Sequence, residues 1–110
     1  MAIGLMLLVS CGGEPSKPKK KLTLTADQEK ILSDIESDGY IVIKPYDREV
    51  WVEPFFWQTC KYDAKYNLGY LVAVKSAQAQ GSDLYFCTIY DNRTGKKLAK
   101  WSESWGFDVE

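Results

Sequence analysis

From Pro54 to about Gln80 the chain reads as helix, and that helix is apolar over so much of its circumference that it must be buried against a sheet. Ala64, Leu68, Leu71, Val72 and Lys75 keep the helical period, while Tyr66, Tyr70, Ala73 and Ala77 make its flanks apolar as well. Pro54 cannot continue a central strand but suits a first helical turn, with Glu53 just ahead of it. The segment divides naturally into a turn or two through Phe56 and Trp57 and a restart near Asp63. Gly69 lowers helix propensity locally, and it would also let a helix approach a sheet closely.

Strand patterns stand on both sides of this helix. Tyr40-Ile41-Val42-Ile43 and Glu49-Val50-Trp51-Val52-Glu53 are β-branched or alternating, and Pro45-Tyr46-Asp47-Arg48 between them reads as a turn, so a hairpin is expected. After it, Gly81-Ser82-Asp83 is a connection and Leu84–Tyr90 is the clearest strand in the chain. Asp91–Lys96 is then a hairpin turn, in which Asp91 can bond the backbone ahead and Gly95 takes positive φ. On the return strand Ala99, Trp101, Trp105, Phe107 and Val109 share one parity. They line one sheet face if the strand runs straight, and a bend at Ser104 or Gly106 would move Trp105 and Phe107 to a separate short strand. Ahead of all this, Thr25-Ala26-Asp27-Gln28 matches a capping box and Gly39 offers a left-handed exit, so a short amphipathic helix over about 26–38 buries a stripe of Ile31, Leu32 and Ile35.

The expected fold class is therefore α+β: an antiparallel sheet of four to five strands, with a short N-terminal helix and one long central helix packed on one face. Residues 25–110 form the single domain.

The 110 residues contain no histidine. Ser-His-Asp and Cys-His nucleophilic sites, imidazole metal centres and imidazole pH switches are excluded at once. Charge is unevenly placed. Lys17, Lys19, Lys20 and Lys21 stand against Glu14 in residues 12–21, which leaves ten basic and fourteen acidic groups in residues 22–110. A mildly acidic domain lacks the basic field that nucleic acid would require. Residues 12–21 also lack any sizeable apolar side chain, so residues 11–24 read as a flexible basic tether whose lysines could rest on anionic headgroups.

The N-terminus has an apolar run, Leu5-Met6-Leu7-Leu8-Val9, leading into Ser10-Cys11 and then Gly12-Gly13. Leu8-Val9-Ser10-Cys11 resembles the lipobox of bacterial lipoproteins. The resemblance implies that residues 1–10 are a signal peptide, removed when Cys11 receives its diacylglycerol. Residues 1–10 carry no Lys or Arg, so the positive n-region of such a peptide is missing, as it would be were the true start upstream. The resemblance also implies a bacterial envelope location facing the periplasm, and Gly12 after the cysteine points to the outer membrane. In that oxidising compartment the leftover Cys60 and Cys87 would be expected to form a disulfide. Closing a loop of about 27 residues would stabilise the fold by about 3–4 kcal/mol.

Few residues suggest chemistry. Trp101, Trp105 and Phe107, with Trp51 and Trp57, are the candidate binding surface, either for cell-wall sugar rings or for apolar side chains of a partner. Aromatic strands are usually packed ones, so the same rings read first as core. Glu49/Glu53 and Asp91/Glu103 offer carboxylate pairs of the kind glycosidases use, but their spacing selects neither. Arg93, Lys96, Lys97 and Lys100 cluster in sequence at the last hairpin, where they could meet an acidic partner or protect a sheet edge. No catalytic residue, metal site or cofactor is expected. The functional expectation is a non-catalytic protein-binding or accessory lipoprotein, held to the membrane through Cys11 and contacting another envelope protein. A peptidoglycan-binding lipoprotein is the first alternative and a carboxylate hydrolase the second.

Overall fold

A computed structural model of the protein describes residues 22–110, so Cys11, the apolar run before it and most of the segment expected to be a tether lie outside the described residues. Helix α1 spans Ala26–Ser37, and the capping box that opens it is complete. The Gln28 amide donates to Thr25 Oγ1 at 3.1 Å, and the Thr25 amide donates back to Gln28 Oε1 at 2.9 Å. Gly39, at φ 86°, ends the helix and turns the chain into β1. Of the expected stripe only Leu32 is fully buried; Ile35 packs against the core edge and Ile31 remains 49% exposed.

Strands β1 (Ile41–Lys44) and β2 (Glu49–Val52) form the expected antiparallel hairpin, in the register Val42 opposite Trp51. Helix α2 (Pro54–Thr59) starts on Pro54, with Glu53 Oε1 accepting from the Phe56 amide at 2.7 Å. Helix α3 (Tyr62–Gln80) follows after Cys60 and Lys61, and Gly81 closes it in the left-handed conformation. The chain then returns through β3 (Phe86–Asp91), β4 (Lys97–Ser102) and β5 (Gly106–Val109).

The five strands lie in chain order, and the sheet is mixed, not antiparallel throughout. β2 and β3 are parallel, with Val50 opposite Ile89, because the helical segment between them carries the chain back to the starting end before β3 begins. Leu84 and Tyr85 stand just before β3, and the last strand reading divides at a turn over Glu103–Trp105 into β4 and β5.

Inward residues alternate along β1 to β4: Ile41 and Ile43, Val50 and Val52, Cys87 and Ile89, Ala99 and Trp101. Helix α3 lies over β3 and β4 with Val72, Ala73 and Val74 fully buried, and α1 covers β1 through Leu32. Gly69 marks the closest approach. A Cβ added there would lie 2.7 Å from Trp101 Cβ, so the helix backbone sits directly on that side chain. The chain before α1 is also held: the Leu22 amide donates to Tyr85 Oη at 2.8 Å and the Leu24 amide to Gln78 Oε1 at 2.9 Å.

At one end of the sheet Arg48 forms a buried latch. Its own φ is 57°, in the turn between β1 and β2, and its guanidinium donates to the Leu84 carbonyl at 2.6 Å and to Gln80 Oε1 at 3.1 Å while lying 4.5 Å from the Phe86 ring centroid. Gln80 in turn donates to the carbonyls of Pro45 and Tyr46. The hairpin turn, the end of α3 and the entry to β3 are thus one hydrogen-bonded cluster.

Candidate functional site

A groove of about 510 Å³ runs between α1 and the α2–α3 pair. Ile31 and Ile35, four residues apart on α1, form one wall. Phe56 of α2 and Ala64, Leu68 and Leu71 of α3 form the other, with Cys60 at the junction of the two helices. The groove exists because α1 fully buries Leu32 alone, which leaves the Ile31–Ile35 ridge spread over the gap between the helices. Its polar residues are few, and the Gln28 side chain is engaged in the α1 cap.

Desolvation raises the pKa of the half-buried Cys60 thiol, against the opposing pull of Lys65. Cys87 is pushed up to about 12 by burial. Both stay protonated at neutral pH, a poor state for a nucleophile. The pairing of Cys60 with Cys87 is not made: both are free thiols. The Cys87 Sγ donates to the Gly69 carbonyl at 3.3 Å. Gly69 lies seven residues beyond Tyr62, about 10 Å along the helix axis, and Cys60 is further back still, whereas a disulfide needs Cα atoms within about 7 Å.

The row of Trp101, Trp105 and Phe107 is not one surface. Trp101 is 4% exposed and belongs to the core, with the rings of Tyr66 and Tyr70 set edge-on to it at 5.8 and 5.6 Å. Phe107 pairs across β4–β5 with Trp101 and packs at the core margin against Tyr62 and Tyr66. Trp105 stands in the turn between β4 and β5 and is 87% exposed. Trp57 is buried with the Lys65 ammonium 4.9 Å from its ring centroid. Trp51, on the sheet face away from the helices, has Tyr90 stacked on it at 4.7 Å and Lys44 5.0 Å from its centroid, and its Nε1 donates to Glu49. A ring occupied in this way offers a sugar little open face.

The carboxylates have structural partners. Glu49 accepts from Trp51, Glu53 caps α2 and meets Arg93 at 3.4 Å, and Asp91 Oδ1 accepts from the amides of Arg93 and Thr94. The Arg93 amide is the main cause holding the Asp91 carboxyl below its ordinary pKa. The cations of the last hairpin do not converge either: Arg93 goes to Glu53, Lys97 to Glu110, and Lys100 lies 5.9 Å from the Phe86 ring centroid. Among the described residues no group of three or more Cys, Asp or Glu side chains is placed to hold a metal ion, and no helix is long and apolar enough to cross a membrane.

Two exposed features escape a reading of the sequence. The groove is concealed because Ile31 belongs to a stripe that looks like core, and the signal available was that α1 carries an apolar ridge wider than one buried residue needs. The second is the juxtaposition of Trp105 with Leu84, twenty-one residues apart in sequence, around one shallow recess. Comparison with known proteins gives no match: no family model, no curated protein and no solved structure is significantly similar to the chain.

Proposed function

We propose that the chain is a membrane-anchored envelope lipoprotein whose domain acts as a non-catalytic binding module for another envelope protein. The anchoring part rests on Leu8-Val9-Ser10-Cys11. The observation that carries the binding part is the apolar groove with the half-exposed Ile31 on its rim, which suits an apolar segment of a partner chain better than a polar small molecule. The structural employment of Glu49, Glu53 and Asp91 agrees with a module that binds and does not turn over a substrate. Peptidoglycan binding is the weaker reading, because Trp101 is buried and Trp51 is stacked, which leaves Trp105 without a second exposed indole beside it.

Labelled palmitate is expected to enter the protein and to be lost in Cys11→Ser. A photoreactive amino acid at position 67, on the groove wall, is expected to give a discrete adduct with another envelope protein that disappears when Ile31→Glu is added. Adducts unaffected by Ile31→Glu, or none at all, would remove the groove from the binding role.

A further inference from the structure

The end of the domain at which the described chain begins is also the end at which its most exposed indole stands. The Leu22 amide is bonded to Tyr85 Oη, Tyr85 is adjacent to Leu84, and the Tyr85 carbonyl accepts from the Glu103 amide in the β4–β5 turn. Leu84 is 61% exposed and Trp105 87%, and the two border one shallow recess floored by Phe86 and Ser102. The turn that presents Trp105 is held, not slack. Ser102 is buried and its Oγ accepts from the amides of both Ser104 and Trp105 at 3.2 Å, while Gly106 takes the positive φ, 89°, that leads back into β5.

We propose that Leu84 and Trp105 are a second membrane contact, inserted at the headgroup level of the bilayer that anchors the chain. This inference rests on the reading that Cys11 carries a lipid. Trp is the side chain best suited to that depth, since its ring is apolar and its N–H can remain hydrated. The eleven residues from Gly12 to Leu22 span at most about 40 Å, so the domain stays close to the surface, and the tether leaves from the Leu84–Trp105 end. Charge at the tip is mixed: Lys100 borders the recess, and Asp83 and Glu103 are exposed beside it. Attraction to anionic headgroups therefore falls to Lys17, Lys19, Lys20 and Lys21 of the tether, with the two apolar side chains providing depth and orientation. Held this way, the domain has a fixed attitude to the membrane.

The test uses the full lipidated chain, reconstituted into vesicles of phosphatidylethanolamine and phosphatidylglycerol with acyl chains brominated near the carbonyl. Bromine is expected to quench part of the tryptophan emission of the wild type. Trp105→Phe should abolish that quenching, because Trp57 and Trp101 are buried and Trp51 lies on the sheet face. Leu84→Ser should reduce it with Trp105 still present. Quenching that is equal in wild type and Trp105→Phe, or absent from both, overturns the contact. Palmitate labelling on the same preparations separates the two readings: a labelled but unquenched protein loses only the tip, and an unlabelled one loses the anchor and the tip together.

Discussion

Gly69 carries more of the architecture than its size suggests. Alanine there would gain about 1 kcal/mol of helix propensity. It would also set a Cβ 2.7 Å from Trp101 Cβ, an overlap between two backbones' first atoms that no rotamer change relieves. Overpacking of this kind costs about 1–3 kcal/mol, so Gly69→Ala is expected to lower the urea midpoint by an amount equivalent to about 1 kcal/mol, and a raised midpoint would show that α3 can lift off the sheet freely. Cys87, bonded to the Gly69 carbonyl, gives a second prediction through pH. Its pKa is raised in the fold from 9.0 to about 12, so the neutral thiol's contribution is present in full below pH 9.0 and is lost as pH rises toward 12. The loss has a limiting slope of about 1.4 kcal/mol per pH unit. Wild type should therefore lose stability above pH 9 faster than Cys87→Ala, and parallel stability profiles for the two would refute the assignment.

At the scale of elements, α2 is a six-residue helix that relies on its cap. Glu53 does two things there: Oε1 accepts from the Phe56 amide at 2.7 Å and Oε2 meets Arg93 at 3.4 Å, with the Arg93 side chain 71% exposed. Glu53→Ala should cost about 1 kcal/mol through the cap, whereas Glu53→Gln keeps an acceptor and should lose only a few tenths, since an exposed ion pair contributes little. Equal losses in the two variants, followed by thermal denaturation, would show that the charge and not the cap matters. Local signals of this sort were legible in the sequence: the Thr25–Gln28 box, the Gly39 exit and the division between α2 and α3 all depend on residues close together in the chain. Strand adjacency was not, because nothing in the pattern of Glu49–Val52 says that Phe86–Asp91 will lie beside it in parallel. The aromatic parity of the last segment left a straight strand and a bend at Ser104 or Gly106 both open for a related reason, and the structure has the bend. Parity assigns faces only while a strand continues, and the turn held by Ser102 sends Trp105 outward before β5 returns Phe107 opposite Trp101. Arg48 likewise read only as part of a turn, because its three partners, Gln80, Leu84 and Phe86, lie more than thirty residues away.

For the molecule as a whole, the residue at which the domain begins sets its stability and, under the anchor proposed at Cys11, its distance from the membrane. The sequence places that boundary at Thr25, at the capping box, yet Leu22 and Leu24 pack against the core and their amides are bonded to Tyr85 and Gln78. Tyr85 is 4% exposed, so a chain that lacked Leu22 would uncover apolar surface and deprive a buried hydroxyl of a donor. Full burial of a leucine is worth about 1.5–3 kcal/mol, and these two are half-buried. A chain beginning at Thr25 is therefore expected to be about 2 kcal/mol less stable than one beginning at Leu22, including the lost hydrogen bond. In a domain of this size that difference corresponds to a fall in Tm of roughly 10 °C. A chain beginning at Leu22 should match the full-length protein, since among the described residues the bonds that hold this end start at the Leu22 amide. Calorimetry of the three lengths decides it: equal Tm values for the Leu22 and Thr25 chains would move the boundary back to the capping box. They would also release Leu22–Leu24 as three further residues of reach, about 10 Å, toward the anchor proposed at Cys11.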